Sequence, residues 1–252
     1  MVVSFSFVPL GVGDAFSARW YSSCLALEHD GRWILVDCPH PIRKMLREAG
    51  DAGPLDLDRV EGVALTHLHA DHVSGLEGYG YFSFFVLKRR GRVLVHPAVR
   101  ARLWEGCLAA GMEHLGEPGT PTARGYGLED YFDLVPIDED APATLGPFRI
   151  ECRRTRHHVP TTAFRLSAGG ATLGYSADTA FDPELIAWLS EADLVIHETN
   201  YGIHTPYAAL AALPAELRAR MRLVHYPDDF DLASSVIEPL EQGRRYVVGS
   251  RD

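Results

Sequence analysis

Little in this chain points to a disulfide-stapled, membrane-spanning or polyanion-coating protein. Its 252 residues include four cysteines, Cys24, Cys38, Cys107 and Cys152, and none sits in a C-x-x-C pair or at a zinc-ribbon spacing. A chain of this length buries a core without staples, so the four read as reduced, mostly buried thiols. No apolar run approaches the ~18 residues that mark a bilayer-spanning helix. Met1–Pro9 lacks the basic start of a secretory signal, and its serines at every second position from Ser4 read as a strand instead. The protein is therefore expected in the cytoplasm, with no membrane partner. Basic residues are outnumbered, 24 against 34 acidic ones, which leaves a net charge of -10. Such a surface repels polyanions at long range and speaks against a sequence-blind nucleic-acid coat. Glycine (23) and proline (16) make up about 15% of the chain. That share is turn-rich but below the low-complexity range, so collagen, coiled-coil and disordered classes are excluded.

What the chain does contain is an alternation of short strands and helices. Val2–Val8 alternates in polarity, and Leu10–Asp14 is a glycine turn. Cys24–Glu28 and Trp33–Asp37 form a hairpin around Asp30-Gly31. Ile42–Ala49 has helical spacing up to Gly50, and Val63–Thr66 is a short buried strand. Helices are expected over residues 71–88, Ala98–Leu108, Pro183–Ser190 (with Asp182 as N-cap) and Pro206–Met221, the last interrupted at Pro214. Strands are expected at Val93–His96, Phe148–Arg153, Thr162–Ser167, Ala171–Ser176, Asp193–His197, Leu223–His225 and Tyr246–Val248. Gly116–Gly127 is the candidate substrate loop. No repeat and no long linker interrupts the pattern, which predicts one α/β domain over residues 1–252.

Histidine is the excess, 12 residues, and it is clustered. Ala64–Gly75 reads ALTHLHADHVSG, placing His67, His69, Asp71 and His72 within six residues. In a strand running into a loop, His67 and His69 share a face, and Asp71 and His72 follow at the start of a helix. Imidazoles beside a carboxylate are the ligands that zinc accepts at catalytic sites. Further candidates stand at the ends of short apolar strands: His157-His158 in RHHVP, Asp178 in GYSADT and His225 in LVHY. Adjacent strand residues face opposite sides, so only one of His157 and His158 can join the same site.

The order Asp37, His67-x-His69-x-Asp71-His72, His157, Asp178, His225 resembles the metallo-β-lactamase superfamily, over nearly the whole chain. The resemblance implies an αββα sandwich with a binuclear metal site on one edge. It assigns His67, His69 and His157 to a first ion, Asp71, His72 and His225 to a second, and Asp178 as the bridge, with Asp37 bracing the metal loop. It prefers His157 over His158 because the family pattern reads His-x-Val-Pro. The implied cofactors are two divalent ions, zinc first, with iron or manganese also suited to these ligands. Such a pair lowers the pKa of a bridging water towards ~7, giving a hydroxide for hydrolysis at neutral pH.

Val195–Thr199, VIHET, is similar to the His-Glu-Ala-Thr element of ribonuclease Z proteins. That likeness implies His197 as the general acid, oriented by Glu198, with Asp71 completing the catalytic set. HHVPTTAFR from His157 and LGVGDAF from Leu10 resemble the same branch, which includes ribonuclease Z and the phosphonate-pathway cyclic phosphodiesterases. Only 21 residues separate His157 from Asp178, too few for the tRNA-gripping arm of ribonuclease Z. A small phosphodiester or nucleotide is thus preferred over tRNA. Thioester hydrolysis of the glyoxalase II kind and lactone hydrolysis use the same ligand set and stay open, as does a homo-oligomer. A non-catalytic or redox metal module is the remote alternative. The basic runs KRRGR (88–92) and RRTR (153–156) read as solvated faces, and His204 as either pocket or plain loop.

Overall fold

Period-two burial decides the layers. In a computed structural model, which describes residues 4–116 and 123–249, β1 (Phe5–Gly11), β2 (Cys24–His29) and β3 (Arg32–Val36) form an antiparallel meander. The β2–β3 turn is Asp30-Gly31, both at positive φ (53° and 75°), the twist that a two-residue hairpin needs. Along these strands alternate side chains part company. Leu25, Leu27, Ile34 and Val36 join one hydrophobic core, while Cys24, Ala26, Trp33 and Leu35 join another. A sheet buried on both faces in this way must be covered by a layer on each side.

β4 (Val60–Leu65) and β5 (Gly91–Val95) extend this sheet in parallel. Two short strands, β6 (His114–Gly116) and β7 (Ala123–Gly125), pair with each other, and β8 (Phe132–Pro136) closes the first sheet beside β5. The second sheet contains β9 (Ala143–Leu145), β10 (Phe148–Arg154), β11 (Thr162–Ala168), β12 (Ala171–Tyr175), β13 (Leu194–Glu198), β14 (Met221–Val224) and β15 (Glu238–Pro239). β16 (Tyr246–Val248) then returns to pair with β1.

The two sheets face each other through Phe5, Phe7, Leu27 and Ile34 on one side and Phe148, Ile150, Phe164 and Leu166 on the other. Phe5 and Phe148 meet edge to face at 5.2 Å. Helices Ile42–Arg47, Leu76–Tyr81 and Pro97–Leu103 cover the outer face of the first sheet with Met45, Leu46, Tyr79, Val99 and Leu103. Helix Pro183–Leu189 packs on the second, N-capped by Asp182, which accepts from the Glu184 and Leu185 amides. The order helix, sheet, sheet, helix is the αββα sandwich expected from the sequence.

Several boundaries differ from expectation for local reasons. The helix expected over 71–88 is two: Ala70–Val73 ends at Ser74, and Leu76–Tyr81 runs on into a π-helical turn, Phe82–Val86. The helix expected to start at Ala98 begins at Pro97, capped by the His96 ring, and is α only to Leu103 before another π-turn. Pro214 splits Pro206–Met221 into Tyr207–Ala211 and Ala215–Ala219, and Met221 already pairs with Val195 in the sheet. The expected loop 116–127 is flanked by the β6–β7 ladder, and its residues 117–122 lie outside the described residues. All four cysteines are unpaired, and only Cys107 is not fully buried.

The topology gathers chemistry on one edge. β3 and β4 run parallel, as do β12, β13 and β14, and β10 runs parallel to β12 because β11 is antiparallel to both. The carboxyl ends of all these strands therefore open on the same side, where open α/β sheets place their ligands. The loop after β3 is clasped to the segment after β4: the Cys38 amide donates to the His72 carbonyl and the Gly75 amide to the Cys38 carbonyl, each at 2.8 Å. A Cβ on Gly75 would lie 2.4 Å from the Pro39 carbonyl oxygen, so only glycine permits this approach. Gly75→Ala is expected to cost about 2 kcal/mol by overpacking and to lower Tm by roughly 4–8 °C. A thermal scan showing an unchanged Tm would disprove the clasp's tightness.

Candidate functional site

The strand ends place a buried group of imidazoles and carboxylates. Asp37 follows β3, His67 follows β4, His157 follows β10, Asp178 follows β12, Glu198 ends β13 and His225 follows β14. Three residues here leave their strands through left-handed backbone at non-glycine positions: Asp37 (φ 63°), Ala177 (φ 50°) and His225 (φ 58°). Such conformations cost free energy and persist only where surrounding contacts fix them. The His225 amide is fixed by the Val12 carbonyl at 2.8 Å.

Asp37 is fully buried and anchors the group. Its Oδ1 accepts from the Thr66 amide (2.8 Å) and the Thr66 hydroxyl (2.9 Å), and its Oδ2 pairs with His72 Nδ1 (2.8 Å). Burial pushes the Asp37 carboxyl up, while His72 and Thr66 pull it back. Because Nδ1 of His72 is engaged, Nε2 faces inward, 3.3 Å from Asp71 Oδ2 and 3.3 Å from Asp178 Oδ1. His67 is oriented in the same fashion, with Nδ1 on the Thr66 hydroxyl (2.9 Å) and Nε2 turned inward. Holding the outer nitrogen of an imidazole fixes which inner lone pair is presented.

Two donor groups result. His69 Nδ1 lies 3.1 Å from His67 Nε2 and 3.2 Å from His157 Nε2. His225 Nε2 lies 3.2 Å from Asp71 Oδ2, close to His72. Asp178 sits between the two groups, its Oδ2 at 3.7 Å from His67, 3.8 Å from His157 and 3.7 Å from His225. The geometry brings together every residue expected from the sequence as a ligand: His67, His69, Asp71, His72, His157, Asp178 and His225. It also separates the histidine pair. His157 enters the group, whereas His158 is exposed and places Nε2 3.0 Å from the outer nitrogen of His69.

These residues fit divalent cations on physical grounds. Ligand atoms around a tetrahedral zinc, at ~2.0–2.1 Å from the ion, stand about 3.3 Å apart, matching the spacings in both groups. Among the described residues, His72 Nε2 and Asp178 Oδ1 are buried without a hydrogen-bond partner although they face each other. Buried polar atoms left in that state are costly unless something else satisfies them. Burial drives His67 well below the ordinary imidazole value and His157 down to about 4, so both present the neutral lone pairs that a metal requires. At His225 burial opposes the charged ring, but Asp178 and Asp71 outweigh it and raise the group to about 9. The carboxylates thus demand positive charge at the centre.

The expectation for the acid needs correction. His197 is fully buried, and its Nδ1 bonds to the Glu198 carbonyl at 2.7 Å. Burial holds it down at about 4, and its Nε2 has no partner among the described residues. Alternation along β13 turns His197 and Glu198 to opposite faces, so only Glu198 reaches the cluster. Glu198 Oε1 accepts from the Thr179 amide (2.7 Å) and pairs with Nδ1 of His204 (2.9 Å), which lies 3.9 Å from Asp178. Burial works against a charged His204, but the Glu198 contact prevails and holds its pKa above the ordinary value. His204 is therefore the residue that sequence reading left unassigned, and its one signal was a position six residues after Glu198, in the turn following the strand. His96, by contrast, is a helix cap facing Glu139, and His40 and His114 are exposed.

Comparison with known proteins places relatives beside this chain at the level of sequence family and fold. A family model described as "Anti-Pycsar protein Apyc1" matches residues 5–244. The anti-Pycsar protein Apyc1 of Saccharibacillus brassicae is 30% identical over 250 residues, covering 95% of this chain and 98% of the relative. Its counterpart from Bacillus phage 010DV004 is 30% identical over 263 residues, covering 95% and 96%. Among solved structures, the metallo-β-lactamase fold protein YhfI from Bacillus subtilis superposes with a TM-score of 0.74 at 19% identity, covering 97% of this chain and 99% of that one. A diphosphatase from the PhnP family gives 0.71 at 13% identity, covering 96% and 97%, and human tRNase Z, short form, gives 0.66 at 21%, covering 96% and 98%. These structural likenesses establish the metallo-β-lactamase fold.

Replacing Asp37 with alanine leaves the buried His72 ring, the Thr66 amide and the Thr66 hydroxyl without their acceptor. Removing one partner of a buried charged pair costs about 3–5 kcal/mol. Urea unfolding of metal-free Asp37→Ala is expected to show that loss, and a wild-type midpoint would show that Asp37 is not the anchor.

Proposed function

The chain belongs to the anti-Pycsar Apyc1 family, and from that membership and the site geometry we propose that it is a metal-dependent phosphodiesterase acting on a small phosphodiester of the cyclic-nucleotide class. The observation that carries this reading is Asp178 standing between two donor groups, with the His204–Glu198 pair beside it. His67, His69 and His157 would hold one ion, Asp71, His72 and His225 a second, with Asp178 shared. Zinc suits the set, and iron or manganese shares its preference for imidazole and carboxylate. When bound, such ions supply Lewis-acid polarisation of a phosphoryl oxygen and lower the pKa of an attacking water.

The chain's own residues supply the proton chemistry. Burial works against the Asp71 charge, but His225 and His72 hold its carboxyl well below the ordinary carboxylate value, so it stays ionised and would orient the attacking water as a hydrogen-bond acceptor. On the other side, His204, held by Glu198, donates a proton to the leaving oxygen. An alkoxide leaving from a sugar needs that proton, whereas a thiolate, with a pKa near ~8.5, leaves without it. That difference favours a phosphodiester over a thioester. An anionic phosphodiester also suits a cation-filled centre better than a neutral lactone does. The interval between His157 and Asp178 folds as the plain β11–β12 hairpin and offers no arm for tRNA, which supports a small substrate.

Metal analysis of the purified protein is expected to find about two transition-metal ions per chain, and Asp178→Asn or His69→Ala fewer than one. Hydrolysis that persists with less than one ion per chain would overturn the mechanism.

A panel of a cyclic mononucleotide, a p-nitrophenyl phosphodiester, a thioester and a lactone tests the reaction class, and turnover of the thioester alone would refute it. On the cyclic nucleotide, His204→Ala is expected to lower kcat by about 10²–10⁴. The loss should be smaller on the p-nitrophenyl ester, whose leaving group needs no acid. His197→Gln should retain activity within a few-fold on both.

A further inference from the structure

Among the five candidate imidazole ligands, four turn Nε2 towards the centre. His67 and His72 do so with Nδ1 engaged outside, and His157 and His225 bring Nε2 to 3.8 Å and 3.7 Å from Asp178. His69 is the reverse. Its Nδ1 faces inward, 3.1 Å from His67 Nε2 and 3.2 Å from His157 Nε2, and its Nε2 points out. The atom that this Nε2 meets is Nε2 of His158, at 3.0 Å. His158 is exposed, and its ring lies tilted against both His69 (4.6 Å between centroids, 37°) and His157 (4.4 Å, 50°). It has no place in the ligand set.

The tautomer of His69 is contested between inside and outside. A neutral imidazole carries one N–H, and the nitrogen that binds a metal must be the bare one. With the proton on Nδ1, His69 can donate to either of two inner acceptors, His67 Nε2 or His157 Nε2, and the inward lone pair is lost. An acceptor outside opposes that arrangement, and among the described residues His158 Nε2 is the one within hydrogen-bond distance. We propose that His158 is a positioning residue: by accepting from His69 Nε2–H it holds His69 in the tautomer whose Nδ1 lone pair points at the first ion. The assignment rests on the two-ion reading and adds to it how one ligand is prepared. Asp37 fills the same role for His72, and the Thr66 hydroxyl for His67. A neutral, exposed imidazole is a weaker acceptor than a buried carboxylate, so its effect belongs at the lower end of the roughly 10–100-fold that such outer partners contribute to metal affinity.

Two variants of the full chain test it. His158→Ala trims an exposed ring, and His158→Gln keeps an acceptor at the same position. Long-range proton–nitrogen NMR correlations of the metal-free protein read the His69 tautomer directly. The wild type is expected with the proton on Nε2, His158→Ala with it largely on Nδ1, and His158→Gln close to the wild type. Zinc titration against a chelating indicator gives the second readout, with the ring nitrogens of His157 and His225 reporting which ion has bound. His158→Ala is expected to bind the first ion about ten-fold more weakly and the second within about two-fold, and His158→Gln to recover most of the loss.

An unchanged His69 tautomer in His158→Ala, or equal weakening of both ions, would overturn the proposal. A third zinc ion in the wild type that His158→Ala loses would overturn it as well, because His158 would then be a ligand itself. If the wild type binds no zinc, the two-ion reading falls, and the tautomer spectra still decide whether His158 sets the His69 proton.

Discussion

Asp178 is a carboxylate with 2% of its surface exposed, placed where strand ends from both sheets meet. A buried carboxylate is tolerated only where opposite charge and hydrogen bonds surround it. Here five imidazoles approach it within 4 Å: His67, His72, His157, His204 and His225. Two of them supply no proton, because burial holds His67 and His157 neutral. The local charge deficit is what turns a cluster of side chains into a cation site, and the remaining features serve to keep that cluster in place.

The fold meets this demand through positioning at several depths. Asp37 fixes the tautomer of His72, and Thr66 fixes that of His67, so inner nitrogens face the centre. The backbone clasp between Cys38 and Gly75 locks the loop carrying Asp37 to the segment carrying Asp71 and His72. Left-handed turns at Asp37, Ala177 and His225 redirect the chain within one residue of leaving a strand. Each is unfavourable alone, and backbone bonds from the Asp37 amide to the Ala64 carbonyl and from the His225 amide to the Val12 carbonyl help to hold two of them. The rigid sheets thus support a site in which donor atoms lie close to metal-ligand spacing.

Much of this was legible in the sequence because chain neighbours carry it. The string His67-x-His69-x-Asp71-His72 lies within six residues, so its spacing alone revealed its chemistry. The Asp30-Gly31 turn is likewise local, so the β2–β3 hairpin was readable, whereas the layers came from the family resemblance. The helix breaks were less readable. The break after Val73 brings Gly75 against Pro39, which is distant in sequence, and Met221 joins a strand because Val195 lies beside it.

What the sequence offered by itself was the His67-x-His69-x-Asp71-His72 string, read from residue types at short spacing, and a family resemblance that implied the sandwich and the remaining candidate ligands. The resemblance preferred His157 over His158, and the tertiary structure brings the His157 ring into the cluster while leaving His158 exposed outside it. The tertiary structure alone set His197 apart from the cluster and brought His204 to Glu198 and Asp178. The direction of a side chain at a strand end is set by which face of β13 meets the cluster, and that depends on how the second sheet packs. Motif order carries no such information, because adjacent residues in a strand are identical in spacing to any partner and opposite in where they point.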